Sequence, residues 1–165
     1  LRGGERESVV LAQNAVGISF NQCNRNRVVA NRVTANYIAL RFGSNSDENA
    51  FALNQFRRNL HPVEVAGENG SNAWSMAGVG NYWDDALILD FDGDHVSDFP
   101  HRELDLLGVL RRDFPSIALL SESPALKLLR FAHQRAALPG VSSIEDRAPL
   151  SIAFPALKIS RPLKP

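Results

Sequence analysis

Asn14-Ala15-Val16-Gly17-Ile18-Ser19-Phe20, Asn36-Tyr37-Ile38-Ala39-Leu40-Arg41-Phe42 and Asn59-Leu60-His61-Pro62-Val63-Glu64-Val65 fall under one another when the chain is written in rows. The row length is about 22 or 23 residues, within the range of solenoid repeats. A second aligned set follows in each row: Asn26 before Val28-Val29, Asn49 before Phe51-Ala52, and Asn72 before Trp74-Ser75. Each row therefore offers at least two short strands separated by Asn, Gly and Ser turns. That period and turn chemistry predict a parallel β-helix, in which coils stack and Asn side chains form hydrogen-bonded ladders at the corners. Alternation assigns the faces. Val16, Ile18 and Phe20 point inward, as do Ile38, Leu40 and Phe42 one coil later, while Ser19, Arg41 and Glu64 make an outer row. The regular leucines of a leucine-rich repeat are missing.

Three coils are near the minimum for a stable stack, and an isolated first coil would expose its apolar end. The chain, which opens at Leu1-Arg2-Gly3-Gly4 without Met, is therefore expected to be the C-terminal part of a longer protein. A signal peptide would lie in the upstream portion. The 165 residues suit one or two small domains, and an apolar fraction of 44% supplies a core. Eighteen Lys and Arg balance eighteen Asp and Glu, so net charge offers no general attraction to nucleic acid or anionic membrane. No apolar run is long enough to span a bilayer. Cys23 has no second cysteine with which to form an internal disulfide.

After the coils comes Gly80-Asn81-Tyr82-Trp83-Asp84-Asp85, then Asp90-Phe91-Asp92-Gly93-Asp94-His95-Val96-Ser97-Asp98-Phe99-Pro100. Asp90, Asp92 and Asp94 recur every second residue, Gly93 permits a tight turn between them, and Asp98 returns four residues later. Four carboxylates brought together without a counter-charge repel and take up protons, so the cluster calls for a hard, oxygen-seeking cation, and flexible geometry favours structural calcium. The candidate metal residues are Asp90, Asp92, Asp94, His95 and Asp98. The match to an EF-hand is incomplete: there is no Glu at loop position twelve, and His95 stands where that consensus has Gly. The plainer alternative makes these aspartates solvated turn formers, each bonding its own backbone.

Beyond Pro100 the apolar spacing turns helical. Leu104, Leu107, Val109 and Leu110 share a face before Asp113-Phe114-Pro115 breaks the run. Ser123-Pro124 then supplies an N-cap with proline at the first helical position, and a second helix should run to about Leu138, where Pro139-Gly140 stops it. Arg111, Arg112, Lys127, Arg130 and Arg135 make this portion more basic than the coils. The last segment, from Asp146 to Pro165, is Pro-containing and lacks caps, so it should be extended, lying along the β-helix or docking on a partner. The expected organisation is mostly β: coils over 1–80, an Asp-rich metal loop over 81–100, a small helical cap over 101–145 and an extended tail over 146–165.

The Asn-rich coils, Gly80-Asn81-Tyr82-Trp83-Asp84-Asp85, the Asp90 to Asp98 loop, the two helical segments and Asp146-Arg147-Ala148-Pro149-Leu150 together resemble the C-terminal part of the NosD family. The resemblance implies an exported, right-handed parallel β-helix protein of the periplasm that assists copper-site maturation of nitrous oxide reductase. It implies as partners an ABC transporter, with its ATPase and membrane subunit, a copper chaperone and the reductase. The pattern departs from the family at His95, where relatives commonly have Gly, and at the apolar Ala86-Leu87-Ile88-Leu89.

Cu(I) prefers Cys, Met and His ligands, and the chain has Cys23, Met76 and His61, His95, His101 and His133. His61 falls in an inward row and reads as a core-edge histidine. Met76, near a coil end, reads as a packing residue. His95 and His101 flank the Asp loop and are the imidazoles placed to meet a transient copper ion, with a partner completing the coordination. Tyr82 and Trp83 would cap the apolar end of the last coil. The first reading is a non-enzymatic maturation and docking protein. An alternative is a polysaccharide-active β-helix enzyme using Asp84, Asp85 or Glu64, or a calcium-stabilised carbohydrate-binding module.

Overall fold

The computed structural model describes residues 9–65, 71–104, 123–135 and 143–153. Its body is a parallel β-solenoid of about three turns, as the row alignment predicts. The first coil carries β1 (Val10–Ala12), β2 (Val16–Phe20) and β3 (Arg27–Val29), and the second β4 (Arg32–Thr34), β5 (Ile38–Phe42) and β6 (Ala50–Ala52). The third carries β7 (Gln55–Arg57) and β8 (His61–Val65), with Ala73 bridging to Ala50 in place of a third strand. β9 (Tyr82–Trp83) then pairs with β7 and opens a fourth turn. The coils have three strand positions, in keeping with the expected minimum of two, because the short Arg32–Thr34 and Gln55–Arg57 segments add a face of their own. The register is the expected one, with Val16 opposite Ile38, Ile38 opposite His61, and Arg41 opposite Glu64.

What bends the chain at each corner is a residue at positive φ followed by an asparagine. Gln13 (φ 60), Ala35 (φ 54) and Arg58 (φ 50) precede Asn14, Asn36 and Asn59, and Arg25 and Glu48 precede Asn26 and Asn49 in the same way. Ala30 (φ 60) and Leu53 (φ 59) precede Asn31 and Asn54. The left-handed conformation costs a non-glycine residue about 1–2 kcal/mol, and the asparagine ladders offset it. In the first ladder Asn14 donates its backbone N–H and its Nδ2 to Asn36 Oδ1 (2.9 and 3.3 Å), and Asn36 does the same to Asn59 (3.0 and 3.1 Å). Each inner amide also donates to the coil behind, Asn36 to the Leu11 carbonyl and Asn59 to that of Val33. Asn26, Asn49 and Asn72 repeat the scheme, so both ladders read from the rows are present.

Between the ladders the interior fills with stacked rings. Phe20 lies on Phe42 with centroids 5.0 Å apart, Phe51 on Trp74 at 4.5 Å, and Phe56 on Trp83 at 4.3 Å. Such pairs add about 0.5–1.5 kcal/mol each beyond the area they bury. Val33, Leu40, Val63 and Val65 complete this core, and Ala52, Leu53 and Leu150 form a second, smaller one. Outside, the expected row is an ion pair, with Arg41 Nε donating to Glu64 Oε1 at 2.7 Å.

The region after Pro100 departs from expectation. His101–Leu104 is a strand, β10, antiparallel to β11 (Ser143–Asp146), so the stretch read as a helical cap over 101–145 has strands at both ends. The reason is legible in the burial: His101 and Glu103 face inward and Arg102 is half-buried, a period-two pattern hidden because the buried residues are polar. The expected helix at Ser123-Pro124 is present as α1 (Pro124–Arg135), packed on β10. Leu107, Val109, Leu110, the break at Asp113-Phe114-Pro115 and the helix end near Leu138 lie outside the described residues. Asp146, taken as the first residue of the tail, belongs to β11, and Pro149 and Leu150 are buried against the solenoid. The described part of that tail therefore lies along the β-helix; its remainder is outside the described residues. Tyr82 and Trp83, placed outside the coils by the 1–80 boundary, belong to the solenoid, and Trp83 covers the core end as expected.

Candidate functional site

The C-terminal end of the solenoid gathers most of the polar chemistry, and a third asparagine ladder leads to it. Asn31 donates to Asn54 Oδ1 at 3.0 and 3.2 Å, and Asn54 donates to Asn81 Oδ1 at 3.2 and 2.9 Å. The second step spans 27 residues rather than 23. The extra residues form a tight excursion in which Met76 and Val79 exchange backbone hydrogen bonds across Ala77 and Gly78, both at positive φ. Asn81 then donates its N–H (2.7 Å) and Nδ2 (3.1 Å) to Asp146 Oδ2, which also accepts Trp83 Nε1 at 3.0 Å. Asp146 Oδ1 accepts the Ala148 N–H at 3.2 Å. A carboxylate offers acceptors only, so Asp146 ends the ladder by taking the backbone N–H of its last asparagine, whose Nδ2 also donates to the Trp74 and Phe51 carbonyls (2.8 and 3.2 Å). Burial pushes its carboxyl above the usual range, against the opposing hydrogen bonds from Trp83, Asn81 and Ala148.

Close packing around Asp146 explains Gly80. A Cβ there would overlap Asp146 Oδ1 and lie 2.7 Å from the Ala148 carbonyl. Gly80 N–H donates to Ala148 O at 2.8 Å, Leu150 N–H to Asn81 O at 2.8 Å, and Ser97 N–H to Pro149 O at 2.7 Å. Residues 146–151 thus lace the last coil to the Asp loop.

In that loop, Asp90, Asp92 and Asp94 each bring a carboxylate oxygen within 4.8 Å of the others. Asp90 accepts the N–H groups of Gly93 (2.8 Å) and His95 (3.1 Å) and the Ser151 hydroxyl (3.2 Å). Asp92 accepts Asp94 N–H and Asp94 accepts Val96 N–H. Desolvation, the largest single influence, raises the Asp90 carboxyl, but the bonds from Gly93, Ser151 and His95 together outweigh it and hold the group below its ordinary value. Asp98 stands apart from the three, accepting the Phe91 N–H at 2.7 Å. His95 contributes its backbone N–H and a left-handed turn (φ 71) at the place where an EF-hand has glycine. Three of the five proposed metal residues are brought together, and the other two shape the loop.

A second cluster was not read from the sequence as a group. Asp85, His101 and Glu103 place ligand atoms within 4.8 Å of one another beside Trp83. Asp85 follows β9 and the other two alternate along β10, a relation that only the strand assignment reveals. The remaining carboxylates of the enzyme alternative are engaged elsewhere, Glu64 with Arg41 and Asp84 as acceptor of the Arg58 N–H.

The donor set bears directly on copper. Cu(I) selects thiolate, thioether and imidazole ligands. Cys23 Sγ contacts the Asn21 carbonyl at 3.2 Å beside the larger core, whereas Met76 packs against the smaller one. His61 is buried with its ring edge-on to Tyr37 at 4.9 Å. Among the described residues no cluster of His, Cys, Asp and Glu ligand atoms includes a sulfur. These residues do not fit a resident Cu(I) site.

The family model described as periplasmic copper-binding protein (NosD) matches residues 6–87. A probable ABC transporter binding protein NosD of Pseudomonas aeruginosa is 32% identical over 127 residues, covering 76% of this chain and 29% of the relative. Its namesake in Stutzerimonas stutzeri is 28% identical over 127 residues, covering 76% of this chain and 28% of the relative. The chain therefore spans under a third of the length of the curated relatives it matches.

Proposed function

The chain belongs to the NosD family, and from that membership we propose that it is part of a periplasmic, non-enzymatic accessory protein for copper-site assembly of nitrous oxide reductase. Its solenoid is a rigid scaffold, and its helical end docks on an ABC transporter. Copper is cargo moving through the assembly, held by a chaperone and the reductase rather than by the residues described here. The observation that carries the docking reading is on α1: Leu128 and Phe131, three residues apart and so on one face, are 68% and 49% exposed. Two large apolar side chains side by side at the surface suit burial against a partner.

The Asp90, Asp92 and Asp94 carboxylates are assigned to structural calcium, with Asp98 and His95 setting the loop. Three exposed or half-exposed carboxylates in one turn suit a hard cation with oxygen ligands. Such an ion would brace the loop against the Ser151 segment and so fix the solenoid end that carries α1.

Docking is tested in cells whose reductase matures only with this protein. The double variant Leu128→Glu, Phe131→Glu should reduce reductase copper content at least tenfold and abolish co-purification with the transporter membrane subunit, while the melting temperature stays within about 2 °C of the parent. Full copper loading with this variant would refute docking through α1.

A further inference from the structure

We propose that Asp85, His101 and Glu103 form a binding site for a divalent transition-metal ion, separate from the Asp90–Asp94 loop. The inference stands on geometry and does not depend on the docking reading.

His101 is the telling residue. Its side chain is 1% exposed, and its Nε2 is buried without a hydrogen bond. A buried polar atom left in this way is costly and uncommon in a folded protein. The nearest acidic atoms are Glu103 Oε1 at 3.5 Å and Asp85 Oδ1 at 3.9 Å, too far for good hydrogen bonds. An ion with bonds of about 2.1 Å in a tetrahedral array separates its ligands by about 3.4 Å, close to those spacings. One ion among the three atoms would give His101 Nε2 the partner it lacks.

The frame around the ring is stiff. His101 stacks on Trp83 with centroids 4.9 Å apart and planes at 28°, and Trp83 is itself tied to Asp146 and stacked on Phe56. Backbone pairing sets His101 opposite Asp146 and Glu103 opposite Ile144, and alternation along β10 puts both side chains on one face. Asp85 differs: its side chain is 39% exposed. It gives the ion an entry route and leaves room for water or a partner's ligand to complete the coordination.

One imidazole and two carboxylates, with no sulfur, select the ion class. The set suits zinc(II), cobalt(II) or copper(II) and is poor for Cu(I), while imidazole disfavours calcium and magnesium. The two clusters should therefore divide metals by hardness.

The test uses the full chain saturated with calcium, titrated with cobalt(II) as an optical probe and copper(II) as an electron paramagnetic resonance probe. One equivalent of cobalt with visible d–d absorption, a copper signal with coupling to one nitrogen, and loss of both in His101→Gln are expected. Asp85→Asn should weaken cobalt binding at least tenfold without altering metal-free melting, and Asp92→Ala should leave cobalt binding intact. If His101→Gln fails to fold, the half-exposed Asp85 variant decides. Absence of saturable cobalt binding, or binding by Asp85→Asn and folded His101→Gln equal to the parent's, would overturn the site and leave the three residues as a buried ionic cluster.

Discussion

Asp146 and Asp90 are both aspartates that accept backbone N–H groups, the first lying within the strap of residues 143–153 and the second bonded to it through Ser151, yet their surroundings pull them in opposite directions. Asp146 is buried with four donors converging on it, and desolvation still raises its carboxyl. Asp90 is near the surface, and its several hydrogen bonds together prevail over desolvation. The same residue type thus serves as a fixed plug in one place and as a charged acceptor in the other. Burial decides which, because the penalty for charge grows with distance from water faster than hydrogen bonds can offset it.

The largest effect expected from breaking that contrast is at the plug. Asp146→Ala strands the N–H of Asn81 and the indole of Trp83, while the Asn81 amide keeps the carbonyls of Trp74 and Phe51, and buried donors left unmatched cost about 1–3 kcal/mol each. Urea unfolding should show a loss of about 3–5 kcal/mol. Asp92→Ala in calcium-free buffer should leave the unfolding midpoint where it is. Equal losses in the two variants would erase the distinction.

Gly80→Ala attacks the same plug from the other side. A methyl there must displace Asp146 or Ala148, both backed by the last coil, and about 2–3 kcal/mol should be lost. Hydrogen exchange should speed up at Leu150 and Ser97 before it does in β5. Uniform acceleration would mean that the strap and the coils unfold as one unit.

Calcium sharpens the contrast. At a concentration one hundred times its dissociation constant, a bound ion adds about 2.7 kcal/mol, so the parent's melting temperature should rise on addition and fall with chelator. Asp92→Ala and Asp94→Ala should lose the response, whereas Gly80→Ala should keep it. A chelator-insensitive parent would reduce the loop to a set of Asx turns.

The pH dependence separates the two aspartates by sign. Asp146, with its folded-state pKa raised by burial, contributes stability fully below the unfolded pKa and loses it as pH rises through the folded value. Asp90, held low, contributes above the unfolded pKa and loses that as pH falls through its folded value. Relative to the parent, Asp146→Asn should therefore be penalised more near pH 4 than near pH 7, and Asp90→Asn more near pH 7. Parallel profiles would contradict the assignment.

The smallest effect belongs to the coils themselves. Ala35 is exposed and sits at φ 54 in a corner. Ala35→Gly should gain about 0.5 kcal/mol, the relief of left-handed strain less the added freedom of the unfolded chain. A loss there would show that the asparagine ladders, and not backbone strain, set the corner energetics.

Much of this was legible because a solenoid writes its tertiary contacts into sequence spacing. The Asn14, Asn36 and Asn59 column and its partner at Asn26, Asn49 and Asn72 could be read from the rows, as could the inward phenylalanines and the Arg41–Glu64 pair. The third ladder was harder, since the Met76–Val79 excursion displaces Asn81 from the period. The strand at His101–Leu104 read as the start of a helix because its inward residues are polar.

By itself the sequence determined the repeat, the faces of the strands and the acidic loop, for each depends on neighbours within a coil or on the constant offset to the next. Only the tertiary structure decided that Asp146, 65 residues beyond Asn81, ends a ladder, or that Asp85, His101 and Glu103 converge beside Trp83. Those contacts follow no period. They arise where the stack stops repeating and the chain must fold back to cover unpaired donors and an open aromatic face, at the molecule's chemically richest end.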